Sequence, residues 1–474
     1  MNVLTLIFCF FTLLLTSKGF VTNDTTNYNQ QLTSKSLHEF VDLNLDPCDN
    51  FYKFSCGNWI KTKELERGNN EIFGYHSSST NFDNFIKEFL AGKLNDESIV
   101  IKKIYNIRKK CEELSGNEIK KCEDKILRFG IYALISLFIR KNRIDSEKHG
   151  DYIILEDMIK RFKEEFRILI DEKKDMFDNE SRDSFLKKLI EMEFTKKLDE
   201  DHFSSVLLME ACYKDLKVSE NDSIENVLKN IELLSEQNYT IESCGDKIFK
   251  FEKYLGHFAH KNAFYQRFYN KFGISASALK EHWFSRYFPH ALNYGGVGFV
   301  ITHEISHAFD DRNYKLIYDA DEKGRLIVTP ESIKNFEKKV ECFVKQYDVQ
   351  KENTTNKNVN GLLTLTENIA DNSGLKIAHR AYMKYLQSIG GEEPKVPGFE
   401  NFTSEQLFFI SVGRTFCEHK SKFYKEQEMK DPHTPPEIRI NVALSNYKPF
   451  SSAFKCGTNS KMNPEGKCEL WKNH

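Results

Sequence analysis

The 474-residue sequence has no surplus of either charge: 68 lysines and arginines stand against 70 aspartates and glutamates. A chain so balanced presents no overall field to draw in nucleic acid or an anionic membrane, and neither is expected as a partner. Short basic runs such as Arg108 to Lys110 read as solvated helix faces. Internal repeats and low-complexity tracts are also missing, so neither organises the chain. Beyond the first twenty residues no further apolar run suggests a membrane span.

Those twenty residues, MNVLTLIFCFFTLLLTSKGF, contain an uncharged stretch from Val3 to Thr16 followed by small and polar residues. The stretch is short for a membrane span and reads as a signal peptide over residues 1–19, although a basic start is lacking. An uncleaved anchor is the alternative. Signal removal implies a soluble, extracellular chain without stable membrane insertion. The cysteines fit that address: of eleven, Cys9 leaves with the signal, and the even remainder suits a compartment where bridges persist. Asn23, Asn179, Asn221, Asn238, Asn353 and Asn401 each open an Asn-x-Ser/Thr sequon, a glycosylation site on a secretory route.

A 40% hydrophobic content supplies ample core, and the length suits two or three domains. Helical periodicity dominates. Leu155, Met158, Ile159, Phe162, Phe166 and Leu169 form one apolar stripe in a charged segment, as an ordinary core-facing helix does. The Lys- and Glu-rich region from about Ile99 to Lys250 reads as helical and without recognisable chemistry. Glycines and prolines gather at Asn293–Gly298, Gly390–Gly398 and Asp431–Pro436, which predicts turns there.

Chemistry concentrates in the second half. In VITHEISHAFDD, Val300 to Asp311, His303 and His307 are four residues apart, which on a helix puts both imidazoles on one face within reach of one cation. Glu304 is rotated to the side of that face, placed to hold a water rather than to ligate, as in a zinc-dependent hydrolase. Two surface histidines on an ordinary helix are the bland alternative. Sixty residues on, LTENIADNSGL, Leu365 to Leu375, repeats the spacing with Glu367 and Asp371. One carboxylate can complete the site: His303, His307 and Glu367 would leave zinc a fourth position for water, and Asp371 could orient a zinc histidine through its free ring nitrogen. Taken alone, this segment would read as a solvent-exposed acidic helix start.

With these motifs in hand the chain resembles the neprilysin and endothelin-converting-enzyme family of zinc metallopeptidases. NAFY at Asn262–Tyr265, NYGGVGFVITHEISHAFDD, TENIADNSGL, DPHTPPEIRIN at Asp431–Asn441 and FKCGTNSKMNPEGKCELW at Phe454–Trp471 carry the likeness, with DPCDNFYKFSCGNW at Asp46–Trp59 near the other end. The resemblance implies one zinc ion per chain on His303, His307 and Glu367. It further implies Glu304 as general base, Asp371 as the partner of a zinc histidine, His303 in preference, and His433 as donor to the oxyanion. Arg439 would grip a substrate carbonyl, and Asn262 and Ala263 would pair with the backbone of a peptide substrate. It also implies the bridges Cys48–Cys456, Cys56–Cys417 and Cys342–Cys468, leaving Cys111, Cys122, Cys212 and Cys244 with open connectivity.

The implied fold is mainly α with a small β component: a thermolysin-like catalytic domain over 256–474, a reduced helical second domain over 111–255, and an N-terminal segment, 20–110, packing with the catalytic domain. Between Cys56 and Asn262 the chain is much shorter than the family pattern, which should leave the site more open. Thr302 replaces a usual glycine and Phe416 a common tryptophan, and both are expected to reshape the specificity pocket. Phe299, Val300 and Phe416 are candidates for its wall or for plain core; a wall would favour cleavage on the amino side of hydrophobic residues. The expected function is a secreted zinc endopeptidase, the alternative a silent peptide-binding paralogue. Substrate identity and oligomeric state are not legible.

Overall fold

The computed structural model describes residues 29–65, 80–196, 205–251 apart from 215 and 217, 259, 261–280, 282–318 and 323–471. The expected signal peptide and the Asn23 sequon lie outside these residues. The principal helices run, in chain order, over Phe51–Leu65 (α1), Asn117–Lys148 (α2), Asp151–Glu172 (α3), Asn179–Glu191 (α4), Phe299–Ser306 (α5), Leu365–Ser388 (α6), Ser404–Arg414 (α7) and Pro436–Asn446 (α8). Short strands occupy Glu193–Thr195 (β1), Ala263–Gln266 (β2), Lys271–Ile274 (β3), Leu316–Tyr318 (β4) and Gly324–Leu326 (β5). The expected mainly helical chain with a small β component is therefore observed.

Two compact units share the chain, and neither is continuous. Among the described residues, one gathers 29–65, 157–190 and 282–471; the other gathers 80–156 and 191–280. These units cut across the expected borders: 157–190, read as part of a middle domain, belongs with the C-terminal half. The reason is the apolar stripe. Phe162 and Phe166 on α3 are fully buried, Phe162 edge-on to Tyr294 at 5.4 Å and Phe166 edge-on to Phe309 at 4.9 Å and Trp471 at 5.1 Å. A face this aromatic is buried where complementary rings exist.

In the second unit, α2 is buried along Ile131–Ile139. A three-stranded sheet of order β1–β3–β2 has β1 parallel and β2 antiparallel to β3, so β2 is an edge strand. Bridges Cys111–Cys122 and Cys212–Cys244 resolve the pairing left open by the sequence. In the first unit, the three implied bridges Cys48–Cys456, Cys56–Cys417 and Cys342–Cys468 are all present.

One expected turn is not a turn. Residues 290–309 form a single helical rod: an α-turn over His290–Asn293, a π segment over Tyr294–Gly298, α5, and a 3₁₀ turn over His307–Phe309. The glycines serve close approach instead of a reversal. A Cβ on Gly295 would stand 2.2 Å from the Phe408 carbonyl oxygen on α7, and one on Gly296 would stand 2.3 Å from that of Trp283. Missing side chains let backbone meet backbone. The rod also packs on α6, a helix buried on nearly every face.

Candidate metal centre

Helix α5 presents His303 and Glu304, and the 3₁₀ turn that continues it presents His307. Helix α6 contributes Glu367 and Asp371, one turn apart and both buried. The crossing of the two helices is close because a Cβ on Gly374 would lie 2.7 Å from the backbone nitrogen of His303. Thr302, buried, donates its hydroxyl to the Gly374 carbonyl at 2.8 Å, and so links the helices. The expectation that Thr302 reshapes a pocket is corrected: its side chain faces α6, because a hydroxyl in this apolar crossing needs an acceptor.

The donor atoms converge. His303 Nε2 and His307 Nε2 are 3.0 Å apart, and Glu367 Oε2 lies 3.2 Å from the first and 3.5 Å from the second. One ligand atom from each of His303, Glu304 and His307 also falls within a 4.8 Å group. The far ring nitrogens are committed to carboxylates: His303 Nδ1 to Asp371 Oδ1 at 2.8 Å, His307 Nδ1 to Asp310 Oδ2 at 2.9 Å. Such partners fix the tautomer, leaving the Nε2 lone pairs facing inward. Glu367 Oε2 is buried with no donor properly aimed at it. These separations of 3.0, 3.2 and 3.5 Å lie within or a few tenths of an ångström below the ligand edges of roughly 3.3–3.6 Å that a tetrahedral ion with 2.0–2.2 Å bonds requires. The residues fit zinc.

Electrostatics agree. Burial resists ionisation of Glu367, but His303, His307 and His433 outweigh it and hold the carboxyl far below the usual carboxylate range. Burial likewise works against protonation of His307, yet Asp310 and Glu367 push it well above the usual imidazole value. A metal-ligating histidine must be a neutral imidazole, so metal loading here is coupled to proton release. Asp371 is buried, which favours the neutral acid, while Arg439 and His303 keep it lowered.

His433 stands at the site, its Nε2 3.1 Å from Glu367 Oε2 and its Nδ1 2.7 Å from Asp431 Oδ1, with the side chain half exposed. Desolvation opposes its charge, and Asp431 with Glu367 raises it to about 9. Arg439 donates from Nε and Nη2 to Asp371 at 2.6 and 2.8 Å and stacks its guanidinium 4.1 Å over Phe416. Phe416 is half-buried, whereas Phe299 and Val300 are buried core neighbours. Asn262 and Ala263 belong to the other unit, where the Asn262 carbonyl accepts from the Ser275 backbone at 2.9 Å and Ala263 opens edge strand β2. Asp310 is the residue the sequence reading missed. Its signal is the i, i+3 spacing from His307, blurred by the adjacent Asp311.

The same half of the chain matches a known family model, peptidase family M13, over residues 262–470. Over these residues the chain is similar to an M13 peptidase domain. The chain is 33% identical to Neprilysin-1 of Caenorhabditis elegans over 347 residues, 72% of this chain and 44% of that protein. It is 33% identical to human neprilysin over 320 residues, 67% of this chain and 42% of that protein. It therefore spans less than half the length of these curated relatives. Among solved structures, the Mycobacterium tuberculosis zinc metalloprotease Zmp1 in complex with an inhibitor aligns with a TM-score of 0.53 at 20% identity, covering 76% of this chain and 52% of that one, a likeness of fold. Within the matched residues, the donor triangle, its orienting carboxylates and His433 are all brought together.

Proposed function

We propose that the chain is a zinc-dependent endopeptidase acting on oligopeptides. The observation that carries the reading is the convergence of His303, His307 and Glu367 at 3.0–3.5 Å, with Glu304 beside them. Those three residues would hold the ion, which supplies Lewis acidity and brings a water's pKa towards neutrality. Glu304 takes a proton from the attacking water and delivers it to the departing amine. Protonated His433 donates to the developing oxyanion, an interaction worth a few kcal/mol. Arg439 keeps Asp371 ionised against His303 and can offer its remaining N–H groups to a substrate carbonyl. Asn262 and Ala263, at the start of an edge strand, suit backbone pairing with an extended peptide.

Finer points belong to the same proposal. Phe416, half-buried under Arg439, supports cleavage on the amino side of hydrophobic residues. Five disulfides, and sequons exposed at Asn179, Asn221, Asn238, Asn353 and Asn401, support a secreted glycoprotein. No described helix is long and apolar enough to cross a membrane. The short middle segment, the reduced helical domain of the sequence reading, supports acceptance of unstructured chains longer than small peptides.

Zinc content and hydrolysis of a quenched peptide, with and without a chelator, test the central claim. Glu304→Gln should keep zinc stoichiometry while turnover falls about 100- to 10,000-fold. Retained turnover refutes the role of Glu304. Zinc without turnover in the parent chain leaves the silent peptide-binding reading.

A further inference from the structure

Helix α4 carries two adjacent lysines in a charged stretch that, as sequence, reads as a solvated face. Lys187 is exposed, as that reading requires, but Lys188 is buried, with 2% of its surface exposed. An ammonium so placed requires an acceptor for every proton. Lys188 Nζ donates to three backbone carbonyls, of Ala308 at 2.7 Å, Asn313 at 2.6 Å and Leu316 at 2.8 Å, and lies 5.6 Å over the Phe309 ring. One turn earlier on α4, Phe185 packs edge-on to the same ring at 5.4 Å.

The three carbonyls bracket one residue. Ala308 lies in the last turn of the helical rod, where unpaired carbonyls favour a cation. Asn313 and Leu316 lie on the far side of the turn whose centre is Asp310. That turn is wound around the Asp310 side chain: Oδ1 accepts from the backbone nitrogens of Arg312 at 2.9 Å and Asn313 at 2.8 Å, while Oδ2 accepts from His307 Nδ1. Asp310 itself is fully buried. Its carboxylate therefore reaches the metal histidine only while the turn keeps its shape, and a single ammonium ties both ends of that turn.

We propose that Lys188 is a positioning residue of the metal centre, holding the 308–316 turn so that Asp310 fixes the ring of His307. The proposal rests on the reading of His303, His307 and Glu367 as a zinc site. Lys188 touches neither ion nor substrate; it acts through Asp310. A lysine that merely filled space or capped a helix would affect stability without sharing its effect on metal binding with Asp310.

The test is a double-mutant cycle on the full chain, with the zinc dissociation constant read by competition against a fluorescent chelator. Lys188→Met keeps the length of the side chain and removes its donors; Asp310→Asn removes the orienting charge. Each should weaken zinc about 10- to 100-fold. The double variant should bind zinc no more weakly than the worse single variant, since both changes break one linkage. Parental affinity in Lys188→Met, or losses that multiply in the double variant, overturns the proposal. Should Lys188→Met aggregate, Lys188→Gln, with two N–H donors for three carbonyls, is measured in its place; an intermediate affinity is expected, and an unchanged one overturns the idea. A parental chain that binds no zinc defeats the peptidase reading first. One that binds zinc and cuts peptide, beside a variant of equal affinity, defeats only the role of Lys188.

Discussion

Replacing Gly374 by alanine probes the crossing on which the metal centre is built. The added methyl would stand 2.7 Å from His303 N and 3.0 Å from both His303 Cα and the Thr302 carbonyl carbon. These are backbone atoms, so no rotamer change relieves the clash. Reaching the 3.4 Å of ordinary contact requires α5 and α6 to part by about 0.7 Å, the difference from 2.7 Å. Glu367 and Asp371 ride on α6 and their partner His303 on α5, so the strain falls on the 3.2 Å and 2.8 Å separations between them. A 2.8 Å hydrogen bond lengthened by that amount ceases to be a good one. Overpacking of this kind costs about 1–3 kcal/mol, which for a chain of this size corresponds to a melting-temperature drop of roughly 1–5 °C. Zinc affinity should fall by about tenfold or more, because the third ligand and one orienting carboxylate move together. Thermal melting and zinc competition on the full chain measure both quantities. Gly457→Ala, with nothing within 4 Å of the new methyl, is the control and should leave both unchanged. If Gly374→Ala matches the parent in both, close backbone contact does not set the donor geometry, and the argument fails.

Thr302→Val should lower stability by about 1 kcal/mol through loss of the hydroxyl bond to the Gly374 carbonyl, while Thr302→Ser stays nearer the parent; equal melting of all three chains would refute the link. A further prediction concerns pH. Burial, with Glu428 nearby, raises Glu418 to about 7 despite the opposing pull of Lys420 at 2.6 Å. The folded chain then holds this proton more tightly than the unfolded one between about pH 4.5 and 7, so stability from this group is present at the acid end and is lost as pH rises to 7. Denaturation from pH 5 to 8 should show a loss that Glu418→Gln flattens, and parallel profiles would refute the assignment.

What could be read from the sequence follows the physics of each signal. Two histidines and two carboxylates at helical spacing are legible because metal geometry demands that spacing, and the structure joins them. The apolar stripe of α3 is legible as a buried face, but its destination is not, since a stripe does not name the surface that covers it. Gly295 and Gly296 mislead because glycine marks both a reversal and a close approach, and only the facing carbonyls of Phe408 and Trp283 decide between them. Lys188 is hidden for a similar reason: a lysine among charged neighbours looks solvated until its three acceptors come from residues more than a hundred positions away. Asp310 had an i, i+3 spacing signal, but Asp311 beside it, at i+4, offered a rival one.

The bridges Cys48–Cys456 and Cys56–Cys417 span 408 and 361 residues, and the unit they staple is interrupted by the other one. During synthesis, Cys48 and Cys56 therefore emerge hundreds of residues ahead of the cysteines they join. Because each bridge shortens the loop that the other must close, whichever forms first makes the second entropically easier. Any product ending before Cys417 would leave the thiols of Cys48 and Cys56 with nothing to join, even where all three candidate metal ligands had already been made.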